Sequence, residues 1–358
     1  MTVPSTQNMK KKGSARHFWL RAGEYSLLLD RRPTLLAVAL TLLVIALGIY
    51  GAGIGGSSLT HREVIEVLRG AATAGQELIV IEWRLPRILA AITVGIALGV
   101  SGSIFQTITQ NPLGSPDLIG FTMGAQTGIL VGVIVMGSSL ASITTFSLLG
   151  GLSSGLIIYL LAAQGGFGRL RLILCGVAIS SMLGSVNRWL IVQADTDTAY
   201  GAMKAVTGTL AKVSWEVAGP CMIGIGVTVC ATLLFKRVLD LLLLGTELST
   251  VLGVRLNLCQ GLLVLLGVTL VAFSTIIAGP ISFVALLAPH IARSISKTPN
   301  APLLVSGLTG ALLLLGADLL SQSLFENLPV GIVTAAVGGF YFMALLVMEA
   351  RKNSARTL

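Results

Sequence analysis

An all-α protein that crosses a membrane ten times is what this sequence predicts, and three observations predict it. Of its 358 residues, 54% are hydrophobic and only 11% charged, with a mean hydropathy of +0.89. A soluble domain carries about 25% charged residues, so the polar coat of a water-facing surface is missing. The apolar residues form continuous runs close to the roughly 20 residues that cross about 30 Å of hydrocarbon. The basic residues flank those runs unevenly, as membrane orientation requires.

The runs fall at about 34–53, 86–107, 117–137, 141–163, 171–192, 216–235, 257–278, 280–295, 302–324 and 330–349. They are continuously apolar, whereas strands of a membrane barrel alternate over about ten positions. The 42 glycines suit closely packed membrane helices. Gly95-x-x-x-Gly99 with Gly102, and Gly151-x-x-x-Gly155, are spaced for such packing. The composition also excludes a disordered chain, and four scattered cysteines exclude a disulfide scaffold. A net charge of +9 invites a nucleic-acid reading, but no basic patch on a soluble face is evident.

An even number of spans puts both termini on one side. With the termini inside, the cytoplasmic segments collect most of the basic residues, from Lys10, Lys11 and Lys12 through Arg31 and Arg32, Arg169 and Arg171, Lys236 and Arg237, to Arg351 and Lys352. Most acids, among them Glu63, Glu82, Asp195 and Glu326, then lie outside. The first run follows a 33-residue polar lead and ends without a clear cleavage site, so it reads as a retained helix rather than a signal peptide. Residues 1–33 are then a cytoplasmic segment, 34–350 the membrane domain and 351–358 a cytoplasmic tail.

Two stretches outside the membrane carry helix signals. Thr60-His61-Arg62-Glu63 is a capping-box pattern with Leu59 placed to staple onto Val64, and Val64, Ile65 and Leu68 share one face. In an inner loop, Thr246 is placed to cap a short helix, Glu247 favours its positive end, and Gly253 suits a left-handed stop. Apolar Leu248, Val251 and Leu252 on that cytoplasmic helix need a partner to cover them.

Enzyme signatures are mostly absent from the sequence. It has no Gly-Lys pair for a Walker A loop and no H-E-x-x-H. The three histidines, His17, His61 and His290, are far apart, so spacing predicts no metal cluster and no cofactor. Asp318 lies within an apolar run, where a bare charge costs at least ~2.5 kcal/mol. No basic partner inside the membrane is evident for it, and pairing with a neighbouring helix near the outer surface is the preferred reading over a proton relay. Prolines mark breaks at Asn111-Pro112-Leu113-Gly114-Ser115-Pro116, at Gly279-Pro280 and at Ala288-Pro289-His290.

Those breaks also carry a resemblance. Arg84-Leu85-Pro86-Arg87, Ser101-Gly102 with Gln106, Asn111 to Asp117, Gly279 to Val284, Ala288 to Arg293, Ala317-Asp318 and Leu328 to Thr334 resemble, in order, the iron-siderophore and vitamin B12 ABC importer permease family. Glu82-Trp83-Arg84 and Gly114-Ser115-Pro116-Asp117 are most similar to its ferric-enterobactin branch.

The resemblance implies a BtuC-like permease in a bacterial cytoplasmic (inner) membrane, itself not an enzyme. Its implied partners are a second permease subunit, identical or homologous, two cytoplasmic ATPase subunits and an extracytoplasmic substrate-binding protein. Membrane lipid surrounds it, a ferric siderophore of the catecholate, enterobactin-like kind is the implied cargo, and cobalamin or haem is the runner-up. A proton-driven transporter using Asp318 and His290 is the reading from another class. By the same resemblance, Arg84 and Arg87 dock the binding protein, and Glu247, Leu248, Leu252 and Gly253 couple to the ATPase. Asn111 and Leu113 form the cytoplasmic gate. The chain departs from the family pattern at Ser249, Gln322 and Phe340.

Overall fold

The computed structural model describes residues 17–22, 25–54, 59, 61–70, 73–137, 139–164, 168–298, 301–324 and 328–354. Apart from one hairpin, its regular structure is helical. That hairpin, β1 (His17–Ala22) against β2 (Tyr25–Asp30), is antiparallel with His17 opposite Asp30. It lies in the stretch that reads as a polar lead, where local pattern predicts no element.

Helix α1 (Arg31–Gly53) leads into the short α2 (His61–Leu68). Thr60, the expected cap of α2, lies outside the described residues. Val64 and Val67 of α2 are buried with Val80, and Leu59 packs on them, while Ile65 is half exposed. Ile65 therefore points away from the face it was expected to share with Val64. A second capping box, not anticipated, opens α3 (Ala74–Thr109), where the Thr73 N–H donates to Gln76 Oε1 at 3.1 Å. Gln76 also donates to Glu63 at 3.3 Å and so ties α2 to α3.

Beyond α3 come α4 (Pro116–Ile119), α5 (Phe121–Ile134), α6 (Leu140–Ala163), α7 (Arg169–Gln193) and α8 (Thr196–Ala205). They are followed by α9 (Trp215–Leu234), α10 (Lys236–Leu242), α11 (Thr246–Val251), α12 (Leu256–Ala278), α13 (Val284–Ser296), α14 (Leu303–Leu324) and α15 (Val330–Ser354). Among the described residues, seven helices are long and apolar enough to cross a membrane: α1, α3, α6, α7, α9, α12 and α14.

Two of the other three expected spans, 117–137 and 280–295, are shorter as helices, for local reasons. Gly120, at φ 93°, breaks 117–137 into α4 and the 14-residue α5; a side chain there would collide with Ser180. Gly279 and Phe283, both at positive φ, delay the start of α13. Its 13 residues reach only about 20 Å at 1.5 Å each. In α15 the described apolar portion is Val330–Ala344.

The core is a close contact of α3, α12 and α14. A methyl on Gly95 or Gly99 of α3 would strike the backbone of Gly310 or Ser306 on α14, and one on Gly102 would strike Ala285 of α13. These glycines let the helices approach within backbone contact, where dispersion and polar contacts replace the hydrophobic effect that lipid does not supply. Ser101 Oγ donates to the Gly267 carbonyl of α12 at 2.9 Å, joining α3 to α12 as well. The partner of the Gly151 and Gly155 stripe is also α12, through Ala272 and Val268. Helix α3 thus runs through the middle of the bundle with both ends emerging at polar clusters.

Candidate functional site: the two ends of the central helix

At its first end, α3 begins with a wide π turn, Leu78–Arg84, in which the Leu85 N–H reaches back to Val80 O. Pro86 follows and has no N–H to donate, so the regular ladder cannot resume until after it. This widened turn sets the direction of Arg84 and Arg87. Arg84 is 9% exposed and donates through Nη1 to the Ala52 carbonyl of α1 at 2.6 Å. Arg87 grips Asp318 of α14 in a two-pronged ion pair, with Nη2 to Oδ1 at 2.8 Å and Nε to Oδ2 at 2.9 Å. Gln322, one turn on, donates to Asp318 Oδ2 at 2.8 Å.

The buried acid of α14 therefore pairs with a neighbouring helix, the reading preferred from sequence, and its partner is Arg87, a basic residue that the sequence did not single out for it. The two groups are 231 positions apart in the chain, and no local spacing signals their meeting. His290, the other candidate for a proton path, packs edge-on against Tyr341 with centroids 6.1 Å apart.

At the opposite end, α3 stops at Gln110, a non-glycine residue in the left-handed region at φ 48°. Asn111 Oδ1 accepts from the Leu113 N–H at 2.9 Å, and the Gly114 N–H donates to Asn111 O at 2.9 Å, so the proline turn folds back on itself. Asn111 lines a cavity of about 210 Å³ with Gln106, Gln110, Leu243 and Arg293. Arg293 Nη2 donates to Gln106 Oε1 at 2.6 Å, and Gln106 Nε2 donates to the Leu286 carbonyl at 3.0 Å.

Gln110 itself joins two neighbours. Arg169 Nη1 donates to Gln110 Oε1 at 2.6 Å, while Gln110 Nε2 donates to the Leu242 carbonyl at 2.7 Å. Arginine can only donate, so the side facing Arg169 must be the amide oxygen, and this fixes the orientation of the amide. Leu242 ends α10, where a helix leaves carbonyls without intrahelical partners. The next carbonyl back, Leu241 O, accepts from Ser249 Oγ of α11 at 2.8 Å. The end of α10 is therefore held by α3 on one side and by α11 on the other.

Helix α11 carries the expected coupling residues. Its N-cap is Gly245 at φ 100°, rather than Thr246. Gly253, at φ 86°, donates to Thr250 O, and the Val254 N–H returns to Ser249 O, a paired closure that satisfies the last carbonyls. Leu248 and Leu252 are each more than half exposed, Val251 is 84% exposed, and Glu247 is exposed beside them. Ser249 is fully buried and also donates to the Gly245 carbonyl at 2.6 Å. Among the described residues, no three His, Cys, Asp or Glu side chains are grouped to hold a metal ion.

Comparison with known proteins places this arrangement. The model of the FecCD transport family matches residues 41–348. The chain belongs to the FecCD transport family. The ferric enterobactin transport system permease protein FepG of Escherichia coli K12 is 41% identical, over 90% of this chain and 99% of its own length. The Fe(3+) dicitrate permease protein FecD of the same organism is 37% identical over 75% of this chain. The hemin permease protein HmuU of Yersinia pestis is 32% identical over 90%. A solved inward-facing structure, described as a metal-chelate type ABC transporter, superposes with a TM-score of 0.77 at 29% identity, covering 88% of this chain and 99% of that one. This FecCD chain is accordingly a multi-pass transport permease, with both sequence-predicted ends of α3 inside the matched region.

Proposed function

We propose that this FecCD permease carries a ferric siderophore of the catecholate, enterobactin-like kind across a bacterial cytoplasmic membrane. The near full-length relation to the ferric enterobactin permease carries this reading. The working unit is an ATP-driven importer: this chain, a second permease, two ATPase subunits that hydrolyse ATP in its place, and an extracytoplasmic binding protein. In that unit the chain makes ten passes, with α5, α13 and α15 completing the seven longer helices. Both termini are cytoplasmic, residues 34–350 form the membrane domain, and 1–33 and 351–358 are cytoplasmic.

The two ends of α3 then take different roles. The end bearing Arg84 and Arg87, beside the 61% exposed Trp83, forms the rim on which the binding protein docks. The other end is the gate, where Asn111 and Leu113 meet the second permease. Exposed Glu247, Leu248 and Leu252, with Gly253 closing the helix, enter a groove on the ATPase. Movement of α11 reaches the gate through Ser249, the Leu241 and Leu242 carbonyls and Gln110, which immediately precedes Asn111.

Uptake of radioactive iron from ferric enterobactin, in cells lacking and then regaining this gene, tests the reading, with labelled cobalamin in parallel. Iron uptake restored only with an intact partner ATPase is the expected result. Cobalamin uptake in its place would move the substrate, and uptake that survives ATPase inactivation but collapses with the proton gradient would overturn the ATP-driven mechanism.

A further inference from the structure

A furrow opens on the flank of the bundle, away from both ends of α3. Helix α1 packs on α14, and α9 packs on α12, which leaves a gap between α1 and α9 floored by α3. The gap holds about 490 Å³ and is lined by apolar surface from Val38 and Leu42 of α1, Ile96 of α3, Val229 and Leu233 of α9 and Leu304 of α14. Val38 and Leu42 are more than half exposed along it.

The furrow reaches one end of the bundle. Its lining includes Thr34 near the start of α1, Leu233 at the end of α9 and Leu303 at the start of α14. Basic residues lie close to that mouth along the chain. Arg31 and Arg32 open α1 within one turn of Thr34, and Lys236 and Arg237 open α10 within about one turn of Leu233. All four are exposed. The acids in the same stretches are Asp30 and Asp240, so the mouth is net positive. An apolar slot beneath a cationic rim has the polarity of a lipid lying with its chain in the hydrocarbon and its phosphate at the interface.

We propose that this furrow is a binding site for an anionic glycerophospholipid of the surrounding bilayer. One acyl chain lies against Val38, Ile96 and Leu233, and the phosphate is met by Arg32, Lys236 and Arg237. A zwitterionic lipid fills the slot equally well but gains less from the rim, so the site selects by headgroup charge. The lipid wedges α1 against α9 and so holds in place a helix that the protein itself buries mainly on its α14 side. The inference is independent of the transported substrate.

The test uses the full chain expressed with its partner subunits and extracted in mild detergent, with bound lipid identified by native mass spectrometry. The expected result is retention of phosphatidylglycerol or cardiolipin above its share of the membrane. In the combined variant Arg32→Gln, Lys236→Gln, Arg237→Gln, the ratio of anionic to zwitterionic bound lipid falls by about five-fold per charge removed. Val38→Trp, which narrows the slot and leaves the rim intact, lowers the bound lipid of both headgroup classes alike. Bound lipid matching the bulk membrane composition in the unmodified protein would overturn the proposal. So would an unchanged ratio in the rim variant, or a photocrosslink from position 38 to a polypeptide instead of lipid.

Discussion

The two ends of α3 carry similar residue types and use them in opposite ways. At the Arg84 end the cations turn inward: Arg84 ties α1 to α3 through Ala52 O, and Arg87 locks α14 through Asp318. At the Gln110 end the polar side chains reach across to the backbone of short helices and line an open cavity. The first end is an anchor whose rupture exposes a buried charge. The second is a joint made of single hydrogen bonds to elements of six or seven residues, which can shift without unfolding the core. In the proposed importer the first end is the fixed frame and the second the movable exit.

Breaking the anchor is expected to have the largest effect. Arg87→Ala or Asp318→Ala leaves one buried partner uncompensated, at a cost of about 3–5 kcal/mol, read as a lowered thermal midpoint in detergent and a lower membrane yield. The double variant Arg87→Leu, Asp318→Leu recovers much of this; if each single change left the midpoint unmoved, the anchor would not exist. Next come Leu248→Glu and Leu252→Glu, which abolish uptake while membrane yield stays normal, because these side chains are exposed in the isolated chain. Ordinary ATP-driven uptake by those variants would remove α11 from the coupling role.

The joint should give a smaller and more selective effect. Gln110→Glu keeps the Arg169 pair but faces the Leu242 carbonyl with a second acceptor, at a cost of about 1–3 kcal/mol in the coupled state. The expected outcome is continued ATP hydrolysis with uptake reduced about ten-fold or more. Gln110→Gly suits φ 48° and still loses uptake, which separates the side chain from the backbone turn. Equal loss of hydrolysis and uptake in both variants would argue that Gln110 only supports the fold.

Arg84→Gln tests the rim: weaker capture of the binding protein, with the loss largest at low salt, where charge interactions are least screened. Capture that is unchanged at all salt concentrations would assign Arg84 to the anchor alone. The smallest effect belongs to α8. Hydrogen bonds from Thr198 hold the carboxyl of its N-cap, Asp195, below the usual range. The contribution of this cap is present above the ordinary carboxylate pKa and is lost as pH falls through the lowered one. Asp195→Asn keeps the cap and Asp195→Ala loses it, which amide exchange at Thr198 would register; identical exchange in the two variants would discount the cap.

Much of this molecule was determined by the sequence on its own. The continuous apolar runs determined a membrane-spanning helical chain, since length and hydropathy act locally. The spacing of Gly95 and Gly99 marked a close-packing face, and Gly253 marked the end of α11, because both depend on single positions and helical periodicity. Arg84, Arg87, Asn111 and Leu113 were singled out by the order of their motifs, and their roles stay proposals. Only the tertiary structure decided who meets whom. Asp318 found Arg87 across 231 positions, and Gln110 found Leu242 across 132. Val67 rather than Ile65 turned inward, and α13 stopped at 13 residues because Gly279 and Phe283 took left-handed turns before it. The reason is common to all four: a pairing between distant segments, or a turn held by its neighbours, depends on which helix faces come together, and no local pattern along the chain contains that information.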